Sequence, residues 1–310
     1  MSRRVAEGRN GDSLYSTDQL DEWIAVPVDE LESRARIPFE LVDTPADVHR
    51  IFAEDLWGEI SSARESGREI SLIVPLGPTG QYSLLAERIN EARLPLDHVT
   101  LFGMDEWLDW QGRPFELDHP YSLEGRFHAL FLDLVDPELR PPSENVIFPS
   151  PLELDRSAEE LERRGNLVGT YGGVGFQGHI AFNEPPSSRW VSVSLEELRS
   201  SRTRVLAITV DTLIAHAQRS AGGNVFAVPP MAVTLGMQEL LGAPRVRLYV
   251  DTGTWKRTIL RILLFGDPDV DYPVTLANGH PDVRVVADRE SAVSPLPSAG
   301  AKARKLLHAQ

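Results

Sequence analysis

The stretch that decides the fold is Gly172-Gly173-Val174-Gly175-Phe176-Gln177-Gly178-His179-Ile180-Ala181-Phe182-Asn183-Glu184-Pro185. It overlaps a strand-like run from Leu167 to Val174, and its glycines let the backbone adopt positive φ angles and approach a ligand closely. His179 lies two residues from Gln177 and five from Glu184, and histidine is well suited to proton transfer near neutral pH. The pattern indicates a site at a strand end. It also fits a plain turn in which His179 only binds a backbone carbonyl.

Apolar runs that end in polar loops recur on both sides of this stretch. Ile70 to Leu76 leads into Gly77-Pro78-Thr79-Gly80, and His98 to Gly103 ends at Met104-Asp105-Glu106. Other strand candidates are Phe39 to Val42, Val205 to Thr209, Val246 to Val250 and Val283 to Ala287, with helical spacing in Pro45 to Ala63, Tyr82 to Glu91 and Thr254 to Leu263. This alternation predicts an α/β, Rossmann-like fold, with a mostly parallel sheet covered by helices on both faces. Ligands bind beyond the carboxyl ends of such strands.

The chain has 310 residues and a hydrophobic content of 42%, which is ordinary for a globular protein with a sizeable core. We expect an N-terminal extension at residues 1–37 and a single α/β domain at residues 38–310. The extension carries no recognisable chemistry, and we expect it to pack on the main domain or on a neighbouring subunit.

Composition excludes several classes of function. The absence of cysteine rules out disulfides, thiol nucleophiles and thiolate metal sites, and a net charge of −15 argues against nucleic acid or an acidic membrane as partner. No apolar run approaches the roughly 20 residues that span a bilayer, and no signal sequence is recognisable, so we expect a cytoplasmic protein. Histidine spacing and the glycine loops indicate neither a metal nor a nucleotide cofactor.

The glycine-histidine stretch closely resembles the signature of the glucosamine-6-phosphate deaminase/isomerase family, which shares its fold with the 6-phosphogluconolactonases. Asn183-Glu184-Pro185 favours the deaminase branch, because the lactonase turn usually continues with Ala-Ser. Shorter matches follow in the family's order: Pro78-Thr79-Gly80, Met104-Asp105-Glu106-Trp107, Ser201-Arg202-Thr203-Arg204, Ala232-Val233-Thr234-Leu235-Gly236, Gly253-Thr254-Trp255-Lys256, and His280-Pro281 with Asp288.

The resemblance implies a hydrolase that opens an aldose phosphate bearing a 2-amino group, isomerises it to the ketose and releases ammonia. Asp105 matches the base that moves a proton between C2 and C1. Successive strand side chains point to opposite faces, so Glu106 is not expected to serve beside it. His179 matches the ring-opening acid/base, and Glu184 matches its carboxylate partner.

The resemblance also implies a phosphate site on N–H groups around Thr79, Gly80 and Gln81, with Lys256 as its cation. We assign Arg204 and Arg219 to the substrate or its phosphate as well. The run containing Arg204 contributes in some relatives to an effector site between subunits, although a solvated basic stretch is an equal alternative. A homo-oligomer is consistent with the family.

Four departures surround the expected ligand. Gln177 replaces the family's Asp, so it can hold the His179 ring by one hydrogen bond but adds no charge, which predicts a lower pKa for His179. Gln218 occupies the position of a phosphate-binding Arg, with Arg219 beside it. Glu124 adds a negative charge to the lid segment, and the phosphate loop continues differently after Gly80. Three hypotheses remain: a deaminase/isomerase, an isomerase or lactonase for another sugar, and a sugar-phosphate-binding protein with little turnover.

Overall fold

The computed structural model describes residues 15–186 and 192–295. The first 14 residues of the predicted extension and residues 296–310 of the predicted domain lie outside the described residues.

The strands of the described chain form two sheets. Their bounds are β1 (Phe39–Val42), β2 (Ile70–Val74), β3 (Val99–Gly103), β4 (Asp105–Leu108), β5 (Val146–Ile147), β6 (Leu167–Gly173), β7 (Arg204–Ala207), β8 (Met231–Thr234), β9 (Val246–Val250) and β10 (Val283–Asp288). Seven of them form one parallel sheet in the order β1-β10-β9-β6-β2-β3-β5. A smaller antiparallel sheet has the order β4-β8-β7.

Helices connect these strands. Their bounds are α1 (Thr17–Ala25), α2 (Leu31–Arg34), α3 (Pro45–Glu65), α4 (Gln81–Ala92), α5 (Leu123–Leu130), α6 (Arg156–Arg164), α7 (Leu195–Arg199), α8 (Val210–Ser220), α9 (Met237–Leu241), α10 (Arg257–Phe265) and α11 (Arg289–Ala292). None of the helices described is long and apolar enough to cross a membrane.

Local sequence explains why these elements form where they do. Every residue of β2 and of β3 is buried, as is typical of parallel strands covered on both faces. Helix α3 begins at a capping box: Thr44 Oγ1 accepts a hydrogen bond from Asp47 N at 3.2 Å, and the Asp47 carboxylate accepts one from Thr44 N at 3.1 Å. Pro45 occupies the first helical position, where its missing N–H costs no helical hydrogen bond.

The parallel sheet separates two apolar cores. On one face Leu72 of β2 packs in a cluster with Phe52 of α3, and on the other Ile73 packs in a cluster with Leu260 of α10. The α/β, mostly parallel fold predicted from the alternating pattern is therefore confirmed.

The described part of the extension packs against the main sheet's helical layer. Tyr15 and Leu31 are buried in the same cluster as Leu260, and α1 contacts α10. The buried guanidinium of Arg261 donates hydrogen bonds to the backbone oxygens of Val26 at 3.2 Å and Ala292 at 2.8 Å. A domain boundary near residue 37 stays a prediction.

The carboxyl ends of β9, β6, β2 and β3 lie next to one another, because these strands are consecutive in the parallel sheet. At the end of β3 the chain passes into the smaller sheet through Met104, whose N–H donates to Val74 O at 3.2 Å and whose carbonyl accepts from Leu235 N at 2.9 Å. The fold thereby places Asp105 at the junction of the two sheets.

Candidate active site

A cavity of about 840 Å³ lies at this edge of the sheet, within the size range of small-molecule sites. Its lining includes six of the residues predicted for the site: Thr79, Gly80, Asp105, His179, Arg219 and Lys256. The loops after β2, β3, β6 and β9 and the helix α8 each contribute to it. Their roles in a reaction stay predictions.

Asp105 is the first residue of β4 and lines the cavity, with 8% of its surface exposed. Burial, and then the negative charge of Glu106, raise its pKa to about 8. Glu106 points elsewhere, as strand alternation predicts: its carboxylate accepts hydrogen bonds from Leu123 N at 2.8 Å and Glu124 N at 2.9 Å. Glu106 thus holds the start of α5, and Asp105 alone of the two faces the cavity.

His179 is buried in a tight loop whose shape depends on glycine. Gly175 N donates to the His179 carbonyl at 2.7 Å, and a Cβ atom at Gly175 would lie 1.8 Å from Nε2 of the His179 ring. Burial, and then the charge of Lys256, lower the pKa of His179 to about 3. The ring is therefore neutral near neutral pH and can accept a proton from a bound ligand.

Changing Gly175 to alanine is expected to lower kcat/KM by about 10²-fold, because the new methyl group would displace the His179 ring and small displacements of an acid/base group cost that much. Gly58→Ala is the matched control: Gly58 lies in α3 and has no atom within 4 Å of the added Cβ. Steady-state kinetics should show the loss of activity in Gly175→Ala alone, and melting curves should show whether each variant is folded. An unchanged rate in folded Gly175→Ala would contradict this assignment of His179.

Glu184 lies behind His179, with Oε1 3.1 Å from Nδ1 of the ring. The two atoms are not aligned for a hydrogen bond. The other carboxylate oxygen of Glu184 accepts a hydrogen bond from the hydroxyl of Thr209, the N-cap of α8. Burial raises the pKa of Glu184. The predicted pairing of Glu184 with His179 therefore agrees with their positions.

Gln177 does not hold the His179 ring, contrary to our expectation. Its amide nitrogen donates to Asp211, and its amide oxygen lies 3.2 Å from Thr209 Oγ1. An aspartate here would place a further carboxylate beside Asp211 and Glu184, whereas glutamine supplies the N–H donor that Asp211 needs. The pKa of His179 is low, as predicted, and its causes are burial first and then the charge of Lys256.

Other groups of the cavity lining are suited to an anion, and we call them the anion end. Thr79 and Gly80 precede α4, whose free N–H groups and positive dipole end attract negative charge. Lys256 lines the cavity and is buried, and burial, and then Arg219, lower its pKa to about 7. The side chain of Gln81 is directed into the loop, where its Nε2 donates to Pro78 O at 2.8 Å; the role of its backbone N–H stays a prediction.

Two further glycines bring the loops of this site together. A Cβ atom at Gly173, the last residue of β6, would lie 2.4 Å from the backbone oxygen of Gly77 in the loop after β2. A Cβ atom at Gly80 would lie 2.2 Å from Nδ1 of His49. The loop of His179 and the loop of Thr79 therefore touch backbone to backbone.

Helix α8 presents Arg219, and not Gln218, to the cavity. Thr212, His216 and Arg219 are spaced by four and three residues and share the face that lines it. Gln218 is exposed on another face. Sequence reasoning missed His216, although its spacing of four and three residues from Thr212 and Arg219 is helical and was a usable signal.

Two expectations about charged residues are wrong in position. Arg204 does not line the main cavity: its guanidinium donates to Asn183 Oδ1 at 2.8 Å, and burial lowers its pKa. It lines a second cavity of about 760 Å³ together with Gln177 and Glu184. Glu124 is also absent from the lining of the main cavity, to which α5 contributes Arg126 instead. For Glu124 the physical reason is helix geometry: Glu124 and Arg126 are two residues apart on α5 and so point about 200° apart.

Three of the lining residues, His49, Asp251 and Trp255, had no predicted role in the site. His49 of α3 binds Asp251, which follows β9, with 2.6 Å between Nε2 and Oδ2. Trp255 lies beside Lys256 and contacts both cations of the anion end.

No family model matches the chain. It is 33% identical over 230 residues to a glucosamine-6-phosphate deaminase of Aeromonas salmonicida, covering 72% of this chain and 79% of that protein. A Caenorhabditis elegans protein of the same name is 31% identical over 208 residues, covering 65% of this chain and 71% of its own.

Solved structures with the same fold include a monomeric glucosamine-6-phosphate deaminase, with a TM-score of 0.69, 24% identity and coverage of 82% of this chain and 98% of that one. A 6-phosphogluconolactonase of Thermotoga maritima has a TM-score of 0.56 and 17% identity, covering 81% of this chain and 99% of its own. The solved structures, at 24% and 17% identity, show that the fold is shared. The family assignment rests on the sequence relatives. The chain belongs to the glucosamine-6-phosphate deaminase family.

Proposed function

We propose that this protein converts glucosamine 6-phosphate and water to fructose 6-phosphate and ammonia. The observation that carries the proposal is one cavity that is lined both by Asp105 and His179 and by the cations Lys256 and Arg219. A sugar phosphate needs acid/base groups at its reacting carbons and positive charge at its phosphate. The names of the relatives specify the amino sugar.

His179 is proposed to open the sugar ring. Glu184 beside Nδ1 favours the neutral tautomer with the proton on that nitrogen, so Nε2 is the base. Nε2 would accept the proton of the C1 hydroxyl and return it to the ring oxygen as the C1–O5 bond breaks. The neutral imidazole can make both transfers, because Nε2 starts without a proton and gives back the one that it accepts.

Asp105 is proposed to move the proton from C2 to C1. Its ionised carboxylate removes the C2 proton of the open-chain sugar and delivers it to C1. The aldehyde oxygen gains a proton and the amino nitrogen loses one, so that C1 becomes an alcohol and the amino group becomes an imine at C2. Water then adds to C2, and ammonia leaves. A carboxyl group with a pKa of about 8 retains the proton between the two transfers more readily than an ordinary aspartate.

A turnover assay with glucosamine 6-phosphate tests the proposal. Ammonia and fructose 6-phosphate are measured together, and equal amounts of both are expected. Ketose phosphate without ammonia would indicate an isomerase for a different sugar. If no product forms at high enzyme concentration while phosphate still binds, the protein is a sugar-phosphate-binding protein. Hydrolysis of a sugar lactone would indicate the lactonase alternative.

The pH dependence should report Asp105 and Lys256. Asp105 must be ionised and Lys256 must be protonated, and their pKa values are about 8 and about 7. The fraction of enzyme with ionised Asp105 and charged Lys256 is largest between pH 7 and 8, so we expect kcat/KM to peak there. Below pH 7 it falls because the ionised fraction of Asp105 keeps decreasing, and above pH 8 it falls because the charged fraction of Lys256 does. Bound phosphate favours charged Lys256, so the alkaline fall should move to higher pH in kcat. A flat kcat/KM between pH 6 and 9 would contradict both assignments.

Other predictions stay proposals. A cytoplasmic location, a homo-oligomer and a single domain at residues 38–310 are consistent with the family but need their own measurements, such as sedimentation for the oligomer. A contribution of Arg204 to an effector site belongs to the same group.

A further inference from the structure

The anion end of the cavity is organised around an indole ring. Lys256 Nζ lies 4.0 Å from the centroid of the Trp255 ring, and Arg219 Cζ lies 4.2 Å from it. Both distances fall within the range of cation–π contacts. Trp255 is itself fixed in place, because Nε1 donates to Thr252 O at 2.6 Å and Phe176 stacks on it at 5.6 Å between ring centroids.

Among the residues that the structure describes, the two cations have no ion-pair partner. Within residues 15–186 and 192–295, no carboxylate lies within 4.0 Å of Lys256 or Arg219. Asp251 is the acid whose charge acts on both of them, but its Oδ2 lies 2.6 Å from Nε2 of His49. The Trp255 ring is therefore the electron-rich group that both cations contact directly.

We propose that Trp255 is a positioning residue that holds Lys256 and Arg219 together for the phosphate group of the substrate. Two like charges repel each other, and without a common partner each long side chain would adopt many conformations. The ring attracts both and so reduces the ordering that binding must supply. The identity of the phosphorylated ligand rests on the proposed function.

An indole serves this purpose better than a carboxylate. A carboxylate between the cations would form charge-assisted hydrogen bonds and compete with the phosphate for the same donors. The ring offers no hydrogen-bond acceptor, so the N–H groups of Lys256 and Arg219 stay available to an anion. The arrangement therefore favours a charged phosphate over a neutral sugar.

The family resemblance does not assign this role. The turn that it matches has the pattern Gly-x-x-Lys, which covers Gly253 and Lys256 and leaves position 255 open. Gly253 has a φ angle of +84°, which starts the turn, and the short helical segment at residues 254–256 then sets the indole beside the ammonium group.

Variants of Trp255 test the proposal by binding and by kinetics. Trp255→Leu removes the ring, Trp255→Phe keeps a smaller one, and Trp110→Leu, which changes a residue 76% exposed and outside the cavity, is the control. Binding of inorganic phosphate is measured from the rise in melting temperature with phosphate concentration. The same melts show whether each variant is folded.

We expect Trp255→Leu to weaken phosphate binding and to raise KM for glucosamine 6-phosphate by about tenfold, with kcat within about twofold. Trp255→Phe, with its smaller ring, should recover only part of the loss and keep a measurable deficit in phosphate affinity, and Trp110→Leu should match the unchanged protein. Unaltered phosphate affinity in folded Trp255→Leu would overturn the proposal, as would a fall in kcat at constant KM. If Trp255→Leu does not fold, equal phosphate affinity in Trp255→Phe and the unchanged protein overturns it.

The phosphate titration separates this proposal from the proposed function. If the unchanged protein releases no ammonia, the proposed function fails, yet the phosphate affinities can still rank the unchanged protein above Trp255→Phe and Trp255→Leu. If the unchanged protein deaminates the sugar and the phosphate affinities do not depend on Trp255, the proposed function holds and the proposal on Trp255 fails.

Discussion

Replacing Asp105 with asparagine is expected to lower kcat by about 10³-fold and to leave KM within about threefold. Asparagine has nearly the same shape as aspartate but cannot accept the C2 proton. The anion end, with Lys256 and Arg219, is untouched by the change. The predicted effect is therefore on turnover alone, and it is measured by steady-state kinetics with glucosamine 6-phosphate.

The same variant should be more stable than the unchanged protein at alkaline pH. The pKa of Asp105 is 3.8 in the absence of the fold and about 8 within it. Between these values the folded state binds more protons than the unfolded state, so the free energy of unfolding decreases as pH rises. The asparagine variant would lack this loss, and the stability difference between the two proteins should grow from about pH 4 to pH 8.

The control for Asp105→Asn is Asp118→Asn, which changes an exposed carboxylate outside the cavity. It should alter neither kcat nor KM. A loss of less than about tenfold in the Asp105 variant would mean that another group moves the C2 proton. Glu106 would not be the first candidate, because its carboxylate is occupied at the start of α5.

Changing His179 to alanine is the second large effect, with an expected fall in kcat/KM of about 10²- to 10³-fold. The side chain is buried but its Nδ1 has no aligned hydrogen bond, so the fold should tolerate the loss of the ring. The space left beside Gly175 and Glu184 can admit a small base. Added imidazole should therefore restore part of the rate.

Rescue by imidazole distinguishes an acid/base role from a structural one. His128→Ala, in α5 and outside the cavity, should keep its activity and be insensitive to imidazole. Full activity of His179→Ala would remove His179 from the reaction. A low rate that no imidazole concentration improves would assign the histidine to loop structure instead.

Much of the parallel sheet could be predicted because its strands are continuous apolar segments. The strand predicted from Val246 to Val250 has those bounds, and the one from Ile70 to Leu76 ends two residues earlier, at Val74. The smaller sheet was harder to predict. Strand β8 has only four residues, and its partners β4 and β7 are distant in sequence.

The candidate site was predictable where a motif lies at a strand end. Asp105, His179 and Lys256 all line the cavity. The surroundings were not, because they depend on contacts between distant segments. Gln177 binds Asp211, which lies 34 residues away, and local spacing carries no sign of that partner.

The contact between Gly173 and Gly77 bears on how new specificities could be engineered. Because these backbones touch, a phosphate loop taken from a relative would meet a surface shaped for its original neighbour. Transplanting residues 75–80 alone should misalign the recipient's histidine. The two loops therefore form one exchangeable cassette, and libraries that diversify substrate choice should vary both sides of this contact at once.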